Sequence, residues 1–371
     1  MELPEKWLRY LTAMPCATLS RRLDPAIFDL PVEKMRAGYY TDAYFNHARA
    51  TLLADGQHPR VTMRVFQKNE AYLGGMDEAL AIIKLCADPA KLRISALHDG
   101  DKIAPGETVL TIEGDYTAFA HLETLYLGTL ARRTLITTNT VNVLKAANGK
   151  PIIFMPARHD HYRIQTGDGY AAYVAGQVVG APIGVTTDDQ ASWWGGTAVG
   201  TVPHSLIAAY AGDTVLAAEK FADWAPPGTN ITVLVDFEND SCRTAIEVAR
   251  KLGSRLWGVR LDTSETLIDK SLVNLSSPDR SGVNPALVHN VRLALDLESF
   301  NDVKIVVSGG FDVERITQFE AAGVPVDAYG VGSSLIRGSN DFTADIVMHN
   351  GKPCAKVGRE LTPNHRLELV Q

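Results

Sequence analysis

Cysteine is scarce and scattered: Cys16, Cys86, Cys242 and Cys354 are the four in 371 residues, and no two form a CxxC pair. This spacing excludes a disulfide framework and a zinc knuckle, and it fits a reducing compartment. Basic charge is also short. Lys and Arg number 36 against 43 Asp and Glu, a net charge of −7, so no face-wide positive surface is available for a nucleic-acid backbone. An acidic balance still permits phosphate ligands, which backbone N–H groups and a few arginines can hold. No hydrophobic run approaches the ~20 residues that span a bilayer. The opening "MELPEKWLRYLTAMPC" has acidic residues where a secretory signal is basic, and it has no long apolar core. A cytoplasmic location is expected. Fixed-period repeats and low-complexity tracts are absent as well.

A hydrophobic fraction of 46% with 21% charged residues is ordinary for a soluble globular enzyme, and the length points to two domains. Residues 1–55 read as helical, with the aromatic-rich "GYYTDAYFNHARATLL" at 38–53. Strand candidates "RVTMRVFQ" and "LRISAL" flank a helix at 77–86. The segment "HDGDKIAPGETVLTIEGDY" then alternates turn pairs with short β runs. Long helices follow over 116–149 and stop at Asn148-Gly149. From there strands and helices alternate: "PIIFM", "ITVLVD", "LWGVRLD", "VKIVVSGG" and "VDAYGVGSS" are strands, with helices such as "CRTAIEVARKLG" between them. In that helix Ala245, Ile246, Ala249 and Leu252 are expected to share the buried face. The pattern predicts an α/β protein with a parallel sheet, open or closed into a barrel. The expected division is a mixed α+β domain over 1–130, joined by 341–371, and an α/β domain over 131–340.

Ligands of parallel sheets sit at the carboxyl ends of the strands. Those ends carry Asp236, then Arg260, Asp262 and Ser264, then Ser308-Gly309-Gly310, then Gly332-Ser333. Glycines after a strand let backbone approach a ligand, and the N–H groups that follow favour an anion. One such turn needs glycine for geometry anyway; two at neighbouring strand ends favour a phosphate site. Asp236 and Asp262 could each cap the next helix. As a pair facing one pocket they suit ribose hydroxyls or Mg²⁺. Arg260 and Asp262 stand two apart and so face the same side of the sheet, where a buried guanidinium calls for a planar anion. No lysine stands at these ends, since Lys304 begins its strand; that speaks against a Schiff-base aldolase. His204 opens an apolar helix in "GTVPHSL", with Pro203 favouring a helix start and Thr201 a candidate cap. Taken alone it is a core residue, an anion ligand or a chemical group.

With these residues in place the chain resembles the nicotinate phosphoribosyltransferases, in the shorter form seen in archaea and some bacteria, a group of type II phosphoribosyltransferases. The matching pieces run in order: "YTDAYF", "HLETLYLGTL", "GTVPHSL", "VLVDFENDS", "GVRLDTS", "VVSGGFD", "AYGVGSSL" and "GKPCAKVGR". The resemblance implies an irregular α/β (TIM-like) barrel beside an N-terminal mixed domain that is partly a β-sandwich. It implies transfer of phosphoribosyl from phosphoribosyl pyrophosphate (PRPP) to nicotinate, releasing pyrophosphate, with Mg²⁺ and with ATP as co-substrate through a transiently phosphorylated histidine. That histidine resembles His204. By the same resemblance Arg260 holds the nicotinate carboxylate or its neighbourhood, Asp236 and Asp262 hold ribose or Mg²⁺, and Ser264 lines the substrate site. Ser308, Gly309, Gly310, Gly332 and Ser333 hold the 5′-phosphate. Tyr40 and Asp42 reach into the partner's site in a homodimer or larger homo-oligomer.

The sequence departs from the family at one place. Where the family has a ring-stacking phenylalanine three residues before an arginine, and often a second arginine, "FMPARHDHYR" places Met155 before Arg158 and His159 after it. Phe154 serves the ring only if the register slips by one. The zinc-binding cysteine cluster of some archaeal relatives is absent, with only Cys354 near the carboxyl terminus. Quinolinate and nicotinamide phosphoribosyltransferases therefore stand as alternatives, as does a non-catalytic phosphate-binding relative.

Overall fold

The structure, a computed structural model, describes residue 19, residues 21–275 and residues 280–370. The opening stretch read above for a secretory signal, with Cys16, lies outside the described residues. Two compact units divide the chain. One takes 142–165 and 179–336; the other takes 14–141, 166–178 and 337–371, each to the extent described.

The first unit is built on six parallel strands: β1 (Ile152–Phe154), β2 (Ile183–Val185), β3 (Ile231–Leu234), β4 (Leu256–Leu261), β5 (Lys304–Val307) and β6 (Ala328–Val331). Their order in the sheet is β2-β1-β6-β5-β4-β3. Every residue of β2, β3 and β6 is buried, which is why these strands read as unbroken apolar runs rather than alternating ones. The two edge strands do not remain open. Ala198 bridges to Val185 of β2 and Val202 bridges to Val233 of β3, both in parallel sense. The short segment between them thus closes the sheet into an irregular barrel.

Helices return the chain between strands, and their caps are visible in the sequence. Asn284 accepts from Leu287 N–H at 3.0 Å with Pro285 in the first turn, and Asp312 accepts from Arg315 N–H at 3.0 Å. On the helix Ser241–Leu252 the buried stripe is Thr244, Ala245, Val248, Ala249 and Leu252. Ile246, expected on that stripe, is only partly covered, because the face is centred one position further round.

The second unit carries an antiparallel six-stranded sheet in the order Lys352–Pro353, Thr343–His349, Arg60–Phe66, Thr108–Asp115, Leu92–Ala96 and Glu368–Leu369, with a separate ribbon of Ala71–Tyr72 and Lys102–Ile103. The helix Met76–Cys86 buries Ala79, Leu80, Ile82, Ile83 and Cys86, and it shares one core with Val61, Met63, Ile94, Leu110, Ile112 and Tyr126. Among the described residues Cys86, Cys242 and Cys354 are free thiols, and no helix is long and apolar enough to cross a membrane.

Candidate active site

The carboxyl ends of β3, β4 and β5 bring the expected residues into bonding contact. The register of β4 on β5 sets Arg260 beside Val306 and Leu261 beside Val307, so the residues that follow each strand emerge together. Ser308 Oγ donates to Asp262 Oδ1 at 2.7 Å. Arg260 binds three neighbours at once: Nε donates to Ser308 Oγ at 2.8 Å, Nη1 to Thr201 Oγ1 at 3.3 Å and Nη2 to Asp262 Oδ2 at 3.3 Å. A guanidinium has five N–H donors, so two remain for an outside anion. Arg260 and Asp262 are both largely buried, with side chains 15% and 22% exposed, which strengthens their pairing over a surface ion pair.

Asp236 and His204 form the second pair. Asp236 sits just past β3 with 4% of its side chain exposed, and its Oδ1 lies 3.0 Å from His204 Nε2, while the imidazole stays 41% exposed. The hydrogen bond to Asp236 raises the histidine pKa above its ordinary 6.5; burial pulls the other way, and Asp262 adds to the rise. Neither aspartate caps a helix. Asp240 and Asn284 hold the cap positions of the helices that follow β3 and β4. The Thr201 cap is likewise not formed. The helix His204–Ala209 has Pro203 at its cap position with no side-chain hydrogen bond, and the Thr201 hydroxyl serves Arg260 instead.

Gly309 and Met155 show how backbone space is used. Gly309 has φ +90°, and a Cβ there would stand 3.4 Å from Asp262 Oδ1. Met155 follows β1 and lies over Gly330 of β6, where a Cβ would come within 2.9 Å of the methionine Sδ and Cε and 3.1 Å of Ser308 Cβ. The thioether thus occupies the place next to Ser308 that a side chain on β6 would fill. Phe154 is fully buried within β1.

The other expected residues are held by separate contacts. Arg158 and His159 are the exposed residues of the turn Pro156–His159, and a Cβ at Gly332 would come 2.9 Å from His159 Cε1. Ser264 is exposed and shares a 3.0 Å hydrogen bond with Thr266. Ser333 is exposed at the start of its turn, whereas Ser334 Oγ donates to the Phe311 carbonyl at 2.8 Å and ties the two glycine turns together. In the other unit Tyr40 is 43% exposed and meets Tyr39 edge-on at 5.0 Å. Asp42 begins the helix Ala43–Ala54, and its Oδ2 accepts from Thr124 Oγ1 at 2.7 Å. That helix buries none of its own residues.

Sequence reasoning gave Thr201 a helix to cap rather than an arginine to bind, and it gave no role to Phe237. Phe237 is 38% exposed, and its ring stands 6.3 Å from that of His204. Its position directly after Asp236 was the available signal. Among the described residues no group of three or more His, Cys, Asp or Glu side chains is assembled to cage a metal. Two carboxylates suit Mg²⁺ when substrate phosphates supply the remaining oxygens.

The chain has relatives of known kind. The family model described as quinolinate phosphoribosyl transferase, N-terminal domain, matches residues 42–134. Nicotinate phosphoribosyltransferase pncB1 of Mycobacterium tuberculosis is 31% identical over 349 residues, covering 84% of this chain and 71% of its own. A second protein of that organism, nicotinate phosphoribosyltransferase pncB2, is 25% identical over 359 residues, covering 92% and 69%. The crystal structure of nicotinate-nucleotide pyrophosphorylase from Pyrococcus furiosus shares 31% identity at a TM-score of 0.77, over 92% of this chain and 85% of that one.

Proposed function

Because the chain belongs to the nicotinate phosphoribosyltransferase family, we propose that it transfers the phosphoribosyl group of PRPP to the ring nitrogen of nicotinate, in the biosynthesis of NAD. The observation that carries this reading is the Arg260–Asp262–Ser308 cluster. It joins a buried guanidinium with donors to spare, a ribose-binding carboxylate and a phosphate-type glycine turn at two adjacent strand ends.

The residues divide the work by chemistry. Arg260 offers its two remaining N–H donors to the nicotinate carboxylate, and Thr201 and Ser308 fix its plane. Met155 packs its thioether on the pyridine face. Asp262 accepts from the ribose hydroxyls, and Gly309, Gly310, Gly332 and Ser333 offer backbone and hydroxyl donors to the 5′-phosphate. The pyridine nitrogen carries its own lone pair, so it bonds to C1 of the ribose as the C1–O bond to pyrophosphate breaks, without a general base. Asp236 and Asp262 would hold Mg²⁺ together with pyrophosphate oxygens, and the ion would neutralise charge on the leaving group.

ATP coupling is read from the second pair. The neutral imidazole of His204 keeps its proton on Nε2, where Asp236 accepts it, and this leaves the Nδ1 lone pair to attack the terminal phosphorus of ATP with ADP as leaving group. Tyr40 and Asp42, which lead into a helix with no buried residue of its own, are the groups a second copy would receive in a homodimer.

A second reading has its own observation. The match over residues 42–134 is to the quinolinate family, so a substrate with two carboxylates is the alternative. Nicotinate, nicotinamide and quinolinate are offered with PRPP and Mg²⁺, with and without ATP, and pyrophosphate is measured. Release with nicotinate, stimulated by ATP, is expected. Release with quinolinate accompanied by CO₂, or with nicotinamide alone, reassigns the base; no release with any of them leaves a phosphate-binding relative.

A further inference from the structure

Arg315 has no part in the chemistry above, yet it sits directly behind the glycine turn. It lies on the helix Val313–Ala321 and reaches back along the chain. Its Nη1 donates to the Gly309 carbonyl and its Nη2 to the Val283 carbonyl. The guanidinium stacks on Phe311, 4.3 Å from the ring centre. Asp312 and Glu265 act on it only through space, and burial pulls its pKa down. Both hydrogen bonds therefore commit a half-buried cation to backbone oxygens rather than to a carboxylate.

Peptide planarity turns those contacts into a direction. In a trans peptide the carbonyl and the N–H that follows point opposite ways. Holding the Gly309 oxygen on Arg315 turns the Gly310 N–H away from the guanidinium. Among the described residues neither Gly309 N–H nor Gly310 N–H meets a protein acceptor. Two unspent backbone donors thus stand at the carboxyl end of β5 with positive charge behind them, the arrangement that suits a phosphate. The Val283 contact adds a second anchor. The neighbouring Gly282 packs closely on Glu265, in the loop after β4, so Arg315 connects the turn after β5 to the segment beside the β4 loop.

We propose that Arg315 is a positioning residue for the 5′-phosphate: it fixes the Gly309–Gly310 peptide so that the Gly310 N–H faces the phosphate. It does so without touching the ligand. This rests on the phosphoribosyl reading above, and the test keeps the two apart. Binding of nicotinate mononucleotide and of the corresponding riboside, which lacks the phosphate, is measured by calorimetry for the wild type, Arg315→Gln and Arg315→Lys, with thermal melts alongside. The wild type prefers the mononucleotide. Arg315→Gln weakens mononucleotide binding about tenfold and leaves the riboside nearly unchanged, the loss expected when charge-assisted positioning is removed. Arg315→Lys falls between them, since one ammonium spans the two carbonyls less well.

A wild type that does not distinguish the two ligands overturns the phosphoribosyl reading. A wild type that does, beside an Arg315→Gln that loses both ligands equally or neither, overturns the role of Arg315 and leaves a purely structural strap. If Arg315→Gln does not fold, Arg315→Lys decides: undiminished preference for the phosphate overturns the proposal.

Discussion

His204 presents Nε2 to Asp236 Oδ1 at 3.0 Å, and the carboxylate that receives it is almost fully buried while the imidazole is not. A half-exposed ring anchored on a buried charge has one nitrogen committed and the other available. This asymmetry is what supports the proposed chemical role of His204.

The same bond sets a pH dependence. Pairing raises the histidine pKa in the folded protein, so the stability it contributes is fully present below the unfolded value near 6.5 and is lost as pH rises through the raised value. Attack by Nδ1 needs the neutral ring, so ATP-stimulated turnover falls off on the acid side at that raised value. Asp236→Asn should shift the His204 midpoint, followed by the NMR signal of its Cε1 proton, to lower pH, and the acid limb of the rate profile with it. Identical midpoints in the two proteins would remove Asp236 from this role.

Arg260→Lys keeps the charge but cannot bind Ser308, Thr201 and Asp262 together. The nicotinate kcat/KM should drop about a hundredfold, on the order of 2–3 kcal/mol, with nicotinamide affected less because it brings no carboxylate. Steady-state kinetics with both bases checks this. Equal losses would place Arg260 with the ribose instead of the base.

Met155 and Gly330 should behave as one unit. Met155→Ala removes the thioether, and Gly330→Ala pushes it aside through the 2.9 Å contact. Each should raise the KM for the base roughly two- to tenfold at similar kcat, the range of a sulfur–aromatic contact. The double variant should cost little more than either single one. Additive losses in this double-mutant cycle would separate the two positions.

Asp269 ties the start of the helix Ser241–Leu252 to Ser271. It is fully buried and accepts from Ser241 N–H at 2.9 Å, Ser241 Oγ at 2.7 Å, Ser271 N–H at 2.9 Å and Ser271 Oγ at 2.7 Å. Asp269→Ala leaves those donors unpaired and should cost about 3 kcal/mol in urea unfolding. A change under about 0.5 kcal/mol, the size of an ordinary surface substitution, would contradict this account.

Much of this architecture was legible from strand ends. Asp236, Asp262, Ser308 and the glycine turns were found because parallel strands are continuous apolar runs that end abruptly in small or charged residues. Arg260 and Asp262 were placed on one face by their spacing alone. The partners were not legible, because they depend on which strands are neighbours. Ser308 meets Asp262 and Arg260 only because β5 lies against β4, and Thr201 reaches Arg260 only because its segment runs beside β3. Local rules instead made Thr201 a helix cap and put Ile246 on the buried face. Tertiary contacts decided both otherwise.

The segment that closes the barrel between β2 and β3 has a mechanical consequence. It is stitched by few bonds, Val199 N–H to the Val185 carbonyl and Val202 N–H to the Thr232 carbonyl, each at 2.8 Å. Thr201 and His204 hang from this thin seam, so the partner of Arg260 and the proposed phosphate-accepting histidine share one hinge line. Parting the seam would loosen both together, and filling either place would hold it shut for the other. A joint with so few hydrogen bonds opens at low free-energy cost, which makes its amides natural reporters of occupancy by hydrogen exchange.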